Sequence, residues 1–221
     1  MQKMTTTKKL QPSSDIVRRP LTRSILERMR LPNKFWASEY GRINPGVHLR
    51  YVNRYLSKIE EVKRAGYIFI LWGENGVGKT AIASILLKEA RWKGFPGFFI
   101  TSQQYMAENF LGSMFDDSLT VSERCRTVDF LVLDDIGKEA VGVNDKKDGR
   151  GVVSRYYEEL IRDRHSHMRP TIITTNLSPD QIKSRYTKSL VCLFEEDTIA
   201  VQVTGPSQRA KSRQSVVHFF E

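Results

Sequence analysis

Cysteine, long apolar runs and acidic charge are all scarce in this chain of 221 residues. Its two cysteines, Cys125 and Cys192, lie far apart and match no metal-binding or redox spacing, which fits a reducing cytoplasm. No apolar run approaches the ~20 residues that a helix needs to cross a bilayer, and no signal peptide is visible. We therefore expect a cytoplasmic protein without a membrane partner, with room for one sizeable α/β domain and a short extension.

Basic residues outnumber acidic ones by 35 to 25, so the formal net charge is +10. Such a charge favours polyanion partners, with nucleic acid ahead of an anionic membrane surface, although many basic proteins have no such partner. Residues 1–30 hold eight Lys or Arg against two acids. We predict that they form a basic, partly disordered extension. Leu21, Ile25, Leu26 and Met29 recur there at the spacing of a short amphipathic helix, which could dock on a partner, contact nucleic acid or serve solubility.

A glycine-rich loop is the strongest motif, and it has the pattern G-x-x-x-x-G-K-T of a phosphate-binding P-loop. It consists of Gly73, Glu74, Asn75, Gly76, Val77, Gly78, Lys79 and Thr80. An apolar strand, 67–72, precedes it and a helix, 81–90, follows it, which is the context that such a loop requires. The pattern predicts that the loop binds a nucleotide, that Lys79 reaches its phosphates, and that the Thr80 hydroxyl is a ligand of Mg²⁺.

Two further strands are predicted to end in polar residues beside that loop. Residues 130–133 are apolar and lead to Asp134, the expected Mg²⁺ ligand, and Asp135, the expected acid that polarises the attacking water. The strand at 171–176 ends in Asn176, which could orient that water; taken alone, Asn176 would be better explained as a turn residue. Further strands are predicted at 98–101 and 198–203, helices at 47–64 and 152–167, and a polar surface segment at 119–126.

Four stretches resemble the DnaC/IstB family of AAA+ ATPases: GENGVGKT, FLVLDDIGKE, RPTIITTNLSPDQI and VQVTGP. The resemblance covers roughly residues 31–209, which we take as the ATPase domain, with 210–221 as a tail. It implies a P-loop α/β fold with a five-stranded parallel sheet in the order 5-1-4-3-2 and a reduced or absent helical lid. It also implies ATP and Mg²⁺ bound between subunits of an oligomer, and Arg209 resembles the family's C-terminal sensor arginine.

One departure from the family pattern concerns the residue that members supply to a neighbour's γ-phosphate. Cys192 stands where the arginine belongs, and a thiol cannot donate the planar cationic hydrogen bonds of a guanidinium. Either turnover is slow, or Arg164, Arg185 or Lys188 replaces the missing arginine.

Four functions follow from these patterns. The first is a loader that places a replicative helicase on single-stranded DNA, and the second is an IstB-like ATPase that acts with a transposase on duplex DNA. The third is a nucleotide-gated scaffold with little turnover, suggested by Cys192. The fourth, a P-loop kinase for small molecules, explains neither the TTNLSP stretch nor the basic charge.

Overall fold

The computed structural model describes residues 20–111, 120–138 and 149–208, in which helices alternate with parallel strands. The strands are β1 (Ile68–Trp72), β2 (Gly97–Thr101), β3 (Phe130–Ile136), β4 (Thr171–Thr175) and β5 (Thr198–Gln202). The helices are α1 (Arg23–Arg28), α2 (His48–Ser57), α3 (Ile59–Ala65), α4 (Lys79–Trp92), α5 (Ser102–Leu111), α6 (Val121–Thr127), α7 (Gly149–Ser166), α8 (Pro179–Arg185) and α9 (Lys188–Glu195). Among these described helices, none combines the length and the apolarity that crossing a membrane demands.

The five strands form one sheet in the order β2-β3-β4-β1-β5, and all four pairings are parallel. Read from the other edge, this is the predicted order 5-1-4-3-2, so the predicted fold class is confirmed. Because the strands are parallel, the carboxyl ends of β1, β3 and β4 lie side by side at the same end of the sheet. The functional residues that follow those strands are therefore brought together.

Both faces of β1, β2, β3 and β4 are buried, which explains why these strands are continuously apolar rather than alternating, whereas the edge strand β5 is largely exposed. Phe69 and Leu71 of β1 face a core cluster that includes α2, α3 and α4. Ile68 and Ile70 face a second cluster that includes α5, α7 and α9. The P-loop helix α4 thus lies on one side of the sheet, and the helix α7 lies on the other.

The single helix predicted at 47–64 is wrong, because the structure contains two helices there. The chain leaves helical geometry at Lys58, with φ −120° and ψ 28°, and α3 begins at the next residue. Tyr55 before the break and Ile59 after it are both buried in the same core cluster. The apolar spacing runs through the break without interruption, so periodicity alone does not reveal it.

The polar surface segment predicted at 119–126 contains a helix that was not predicted, α6, and its residue Cys125 does not lie at the surface. Thr120 and Glu123 form a reciprocal capping box: the Thr120 hydroxyl accepts from the Glu123 N–H, and the Glu123 carboxylate accepts from the Thr120 N–H. Cys125 lies on the inner side of α6 and is fully buried. Burial raises the pKa of its thiol to about 12, so Cys125 packs as a small apolar residue.

The short helix predicted near the N-terminus is α1, and its apolar side is packed against the ATPase domain itself. Leu26 and Met29 are buried in the core cluster that contains β1 and α4. Just after α1, the Met29 carbonyl accepts a hydrogen bond of 2.8 Å from the Phe99 N–H of β2. The apolar face of α1 is therefore covered within this chain, and only its polar side faces outward.

Arg164 is fully buried on α7, which corrects the suggestion that it replaces the missing interface arginine. Its guanidinium donates hydrogen bonds of 2.7 to 3.0 Å to the carbonyls of Cys125, Val128, Asp129 and Pro170 and to the Thr171 hydroxyl. Burial lowers its pKa to about 9, but all of these acceptors favour the charged form. Arg164 joins α6, α7 and the starts of β3 and β4, so its role is structural.

We expect Arg164→Met to lower the free energy of unfolding by about 3 kcal/mol or more, because several buried carbonyls lose their donor. Urea denaturation measures this loss. Arg162→Met is the matched control, since Arg162 is exposed on the same helix and makes only an i,i+4 ion pair with Glu158. The control should change stability by about 0.5 kcal/mol. Equal losses in both variants would contradict the structural role.

Candidate nucleotide site

The P-loop connects β1 to α4 through a turn in which three positions have backbone conformations that favour glycine. Gly73, Gly76 and Gly78 have φ values of 141°, 84° and 105°, all in the left-handed region. A Cβ on Gly73 would also lie 2.4 Å from the carbonyl oxygen of Val203, which is closer than two such atoms can approach. The loop therefore has the backbone that a phosphate-binding turn requires, and α4 begins directly at Lys79.

Lys79 is buried at the centre of the loop, and its ammonium group is held by acceptors on two parts of the chain. Its Nζ donates to the carbonyl oxygens of Gly73 at 2.8 Å and Glu74 at 2.7 Å. It also donates to Oδ1 of Asn176 at 2.7 Å, across 97 positions of sequence. The structure thus brings together two residues that the sequence places on separate strand ends. Glu74 and Asn75 are exposed on the outside of the loop, and Val77 is buried in the core.

Asp134 is buried at the end of β3, where its Oδ1 accepts a 2.6 Å hydrogen bond from the Thr174 hydroxyl. Burial raises the pKa of this carboxyl and the charge of Asp135 adds to the effect, whereas hydrogen bonds from Thr174 and Thr80 oppose it. The two predicted Mg²⁺ ligands, Thr80 and Asp134, are therefore in contact. An oxygen pair of this kind suits Mg²⁺, and a divalent cation would favour the ionised carboxylate against the cost of burial.

Asp135 has a left-handed backbone, with φ 60°, although it is not a glycine. The pairing of β3 with β4 shifts register between Leu133 and Ile136, so Asp135 sits at an irregular point of the sheet. A conformation of this kind costs on the order of 1 kcal/mol and is often found at functional sites. It leaves the carboxylate partly exposed, with Oδ2 2.8 Å from Nζ of Lys138. The carboxylates of Asp134 and Asp135 therefore differ in burial, as their different predicted roles require.

Thr174 is a residue of the site that the sequence reasoning missed. Its hydroxyl donates to Oδ1 of Asp134 and accepts from the backbone N–H of Asp135 at 2.9 Å. A single side chain on β4 thus orients one acid and supports the irregular backbone of the other. The polar end of the strand carries the signal, but the predicted role falls on Asn176 alone.

The segment after β5 packs along the P-loop, and this contact was also missed. The N–H of Gln208 donates to the carbonyl of Gly76 at 2.9 Å. From the other side, the Asn44 side-chain amide donates to the carbonyl of Pro206 at 2.9 Å and lies 3.4 Å from the carbonyl of Val77. The loop is therefore braced by two distant parts of the chain, and no local sequence signal reveals either one.

The cations considered as replacements for the missing arginine lie in different places. Cys192 is exposed on α9, and Lys188 is exposed one helical turn before it on the same side. The Arg185 guanidinium lies 5.9 Å from the centre of the Tyr186 ring. Arg209, predicted to contact the nucleotide, lies outside the described residues.

Comparison with known proteins agrees with this geometry. The model of the ATPase family associated with various cellular activities (AAA) matches residues 69–192, from β1 to α9. The replicative helicase loader DnaI of Bacillus subtilis (strain 168) is 26% identical over 141 residues. That match covers 63% of this chain and 42% of DnaI, so this chain spans less than half the length of that relative.

Two solved structures show the same fold at low sequence identity. The DnaC helicase loader superposes with a TM-score of 0.64 at 21% identity, over 78% of this chain and 100% of the other. The replication initiator DnaA, bound to AMPPCP and single-stranded DNA, gives a TM-score of 0.60 at 19% identity, over 86% of this chain and 56% of DnaA. Because the AAA model covers more than half of this sequence, the protein belongs to the AAA family of ATPases.

Proposed function

We propose that this protein is an ATP-dependent DNA-binding protein that places a replicative helicase on single-stranded DNA. Membership of the AAA family supports nucleotide binding and hydrolysis. The observation that favours helicase loading over other AAA activities is the similarity to the loader DnaI over 141 residues, a length far greater than that of the P-loop alone. The basic charge of the chain suits a DNA partner.

Each residue of the site has a chemical role in this proposal. The backbone N–H groups of the P-loop and the Lys79 ammonium bind the β- and γ-phosphates of ATP. Thr80 and Asp134 would hold Mg²⁺, and the bound ion would neutralise negative charge on the phosphate oxygens. Asp135, more exposed and not withdrawn into the sheet, polarises the attacking water, and the Asn176 amide orients it.

Contact between Lys79 and Asn176 couples nucleotide binding to the sheet. In the structure Asn176 Oδ1 is one acceptor of the lysine ammonium. Phosphate oxygens compete for the same donor, because charged acceptors bind an ammonium more strongly than an amide oxygen does. ATP binding therefore frees the Asn176 side chain for the water that attacks the γ-phosphate. The short connection from Asn176 to α8 then carries the change toward α8 and α9.

Self-association completes the site in this proposal, since a neighbouring subunit supplies cationic charge to the γ-phosphate. The exposed side of α9 presents Cys192 where the family places an arginine, and Lys188 lies one helical turn before it. A second function, a nucleotide-gated scaffold with little turnover, is favoured by that one observation. The rate of ATP hydrolysis in the assembled state separates the two.

Co-purification from the source cells tests the loader function directly. With ATP and Mg²⁺ present, the wild-type chain should retain a hexameric replicative helicase, whereas Lys79→Ala should lose it along with ATP hydrolysis, because its phosphate contact is gone. Mass spectrometry of the retained proteins is the measurement. Glu74→Ala is the control on the exposed side of the loop. Retention of a transposase in place of a helicase would refute helicase loading and support the transposition alternative.

Thr174→Val should move the acid limb of the pH–rate profile for ATP hydrolysis to higher pH. The Thr174 hydrogen bond to the ionised carboxylate lowers the pKa of Asp134, so its removal raises that pKa further above the ordinary value. On acidification, the ionised fraction of Asp134 therefore falls at a higher pH in the variant than in the wild-type chain. Thr175→Val is the matched control, because Thr175 loses a buried hydrogen bond to Ile136 but does not contact Asp134. Identical profiles for the two variants would contradict the role of Thr174.

Cys192→Arg should raise the ATPase rate of the assembled protein about tenfold or more, because a guanidinium stabilises transition-state charge in a way that a thiol cannot. The rate should be measured over a range of protein concentrations, since the effect requires a neighbouring subunit. Cys192→Ser is the control for loss of the thiol. A Cys192→Arg protein no faster than Cys192→Ser would show that α9 does not supply this charge.

A further inference from the structure

Two arginines lie against one aromatic ring in β2, the strand at one edge of the sheet, and a third arginine lies beside them. The guanidinium carbons of Arg124 and Arg30 are 4.5 and 5.4 Å from the centre of the Phe98 ring in β2. Nη2 of Arg124 also donates to the backbone carbonyl of Arg28 at the end of α1, at 2.5 Å. We call Arg28, Arg30 and Arg124 the edge cluster.

The edge cluster is not neutralised by the acids around it. Glu27 on α1 is paired with Arg23 at 2.7 Å, and Glu123 on α6 accepts from Thr120 in the capping box. Glu108 on α5 lies 3.8 Å from Arg30, and about 40% of both side chains is exposed to solvent. Among the residues that the structure describes, this one weak pair is the only ion pair that the cluster makes.

Mutual repulsion within the cluster is visible in the electrostatics of Arg124. Burial lowers the pKa of Arg124, and the charges of Arg30 and Arg28 lower it further. The fold thus holds three like charges together at some energetic cost, which an anion bound among them would relieve.

The position of the cluster separates it from the nucleotide site. Phe98 is the second residue of β2 and pairs with Leu131 near the start of β3, whereas Asp134 and the P-loop lie at the carboxyl ends of the strands. Arg28 and Arg30 are exposed, so an extended polyanion can reach them. The same N-terminal stretch, residues 1–30, contributes a local charge of +6 by its sequence.

We propose that Arg28, Arg30 and Arg124 form a binding site for the phosphodiester backbone of nucleic acid, outside the nucleotide site. Guanidinium groups bind phosphate through paired N–H donors, and the stack on Phe98 keeps two of them oriented before the ligand arrives. This inference rests on the DNA-binding part of the proposed function. It assigns that binding to one edge of the sheet.

A charge-matched pair of double variants tests the site. Arg28→Gln/Arg30→Gln removes two exposed members of the cluster, and Arg54→Gln/Arg162→Gln removes the same charge from exposed positions on α2 and α7. Binding to fluorescein-labelled oligo(dT) is measured by anisotropy with a non-hydrolysable ATP analogue and Mg²⁺, from about 50 to 200 mM salt. Thermal melting and nucleotide binding verify that each variant is folded and keeps its nucleotide site.

We expect the edge-cluster variant to bind oligo(dT) about tenfold or more weakly than the control variant. The slope of log K against log salt should fall in magnitude by about 1.4, since each phosphate contact on a single strand contributes about 0.7. Arg124→Lys should weaken binding less than Arg124→Gln, because it keeps the charge but loses the planar fork.

Two results would overturn the inference. If the wild-type chain binds DNA and the two double variants bind it equally well, the edge cluster is not a binding site, and the proposed function still stands. Failure of the wild-type chain to bind any DNA in the presence of nucleotide would remove both the site and the DNA-binding part of the function. Retention of a helicase in the co-purification experiment remains an independent readout of the function.

Discussion

Parallel pairing of β1, β3 and β4 is the constraint on which the nucleotide site depends. It places the P-loop, Asp134 and Asn176 together at the carboxyl ends of these strands, although the chain between them passes through several helices. The bond between Lys79 and Asn176 and the bond between Thr174 and Asp134 both cross between neighbouring strand ends. A shift of one residue in the register of β4 would turn Thr174 to the other face of the sheet and break the second bond.

Buried cations join the elements around that sheet, and each is satisfied mainly by backbone carbonyls. Arg164 connects α7 to the chain around α6 and to the starts of β3 and β4. Lys88 of α4 donates to the carbonyls of Trp36 and Ser38, which holds the segment after α1 against the P-loop helix. Lys79 does the same inside the loop itself. A neutral side chain of equal size would leave these carbonyls without donors, each at a cost of about 1 to 3 kcal/mol.

Strong local patterns made the strands and the P-loop predictable. The five strands are short, mostly apolar runs, and all five lie within a residue or so of the expected positions. Elements held by distant contacts were harder to predict. The break at Lys58 and the helix α6 depend on burial of Tyr55, Ile59 and Cys125 against the core, and periodicity does not show where a neighbouring element will pack.

The sequence by itself determined the fold family, the phosphate-binding loop and the acids and amide that follow β3 and β4, because each depends on local residue types in a specific order. The tertiary structure decided which arginines are buried in the interior and which lie near the surface. Arg164 is fully buried, whereas Arg30 and Arg124 both contact the Phe98 ring, although they are more than 90 positions apart in the chain. Whether a charged side chain is buried or exposed depends on what the rest of the chain packs against it, and a linear pattern of charges does not contain that information.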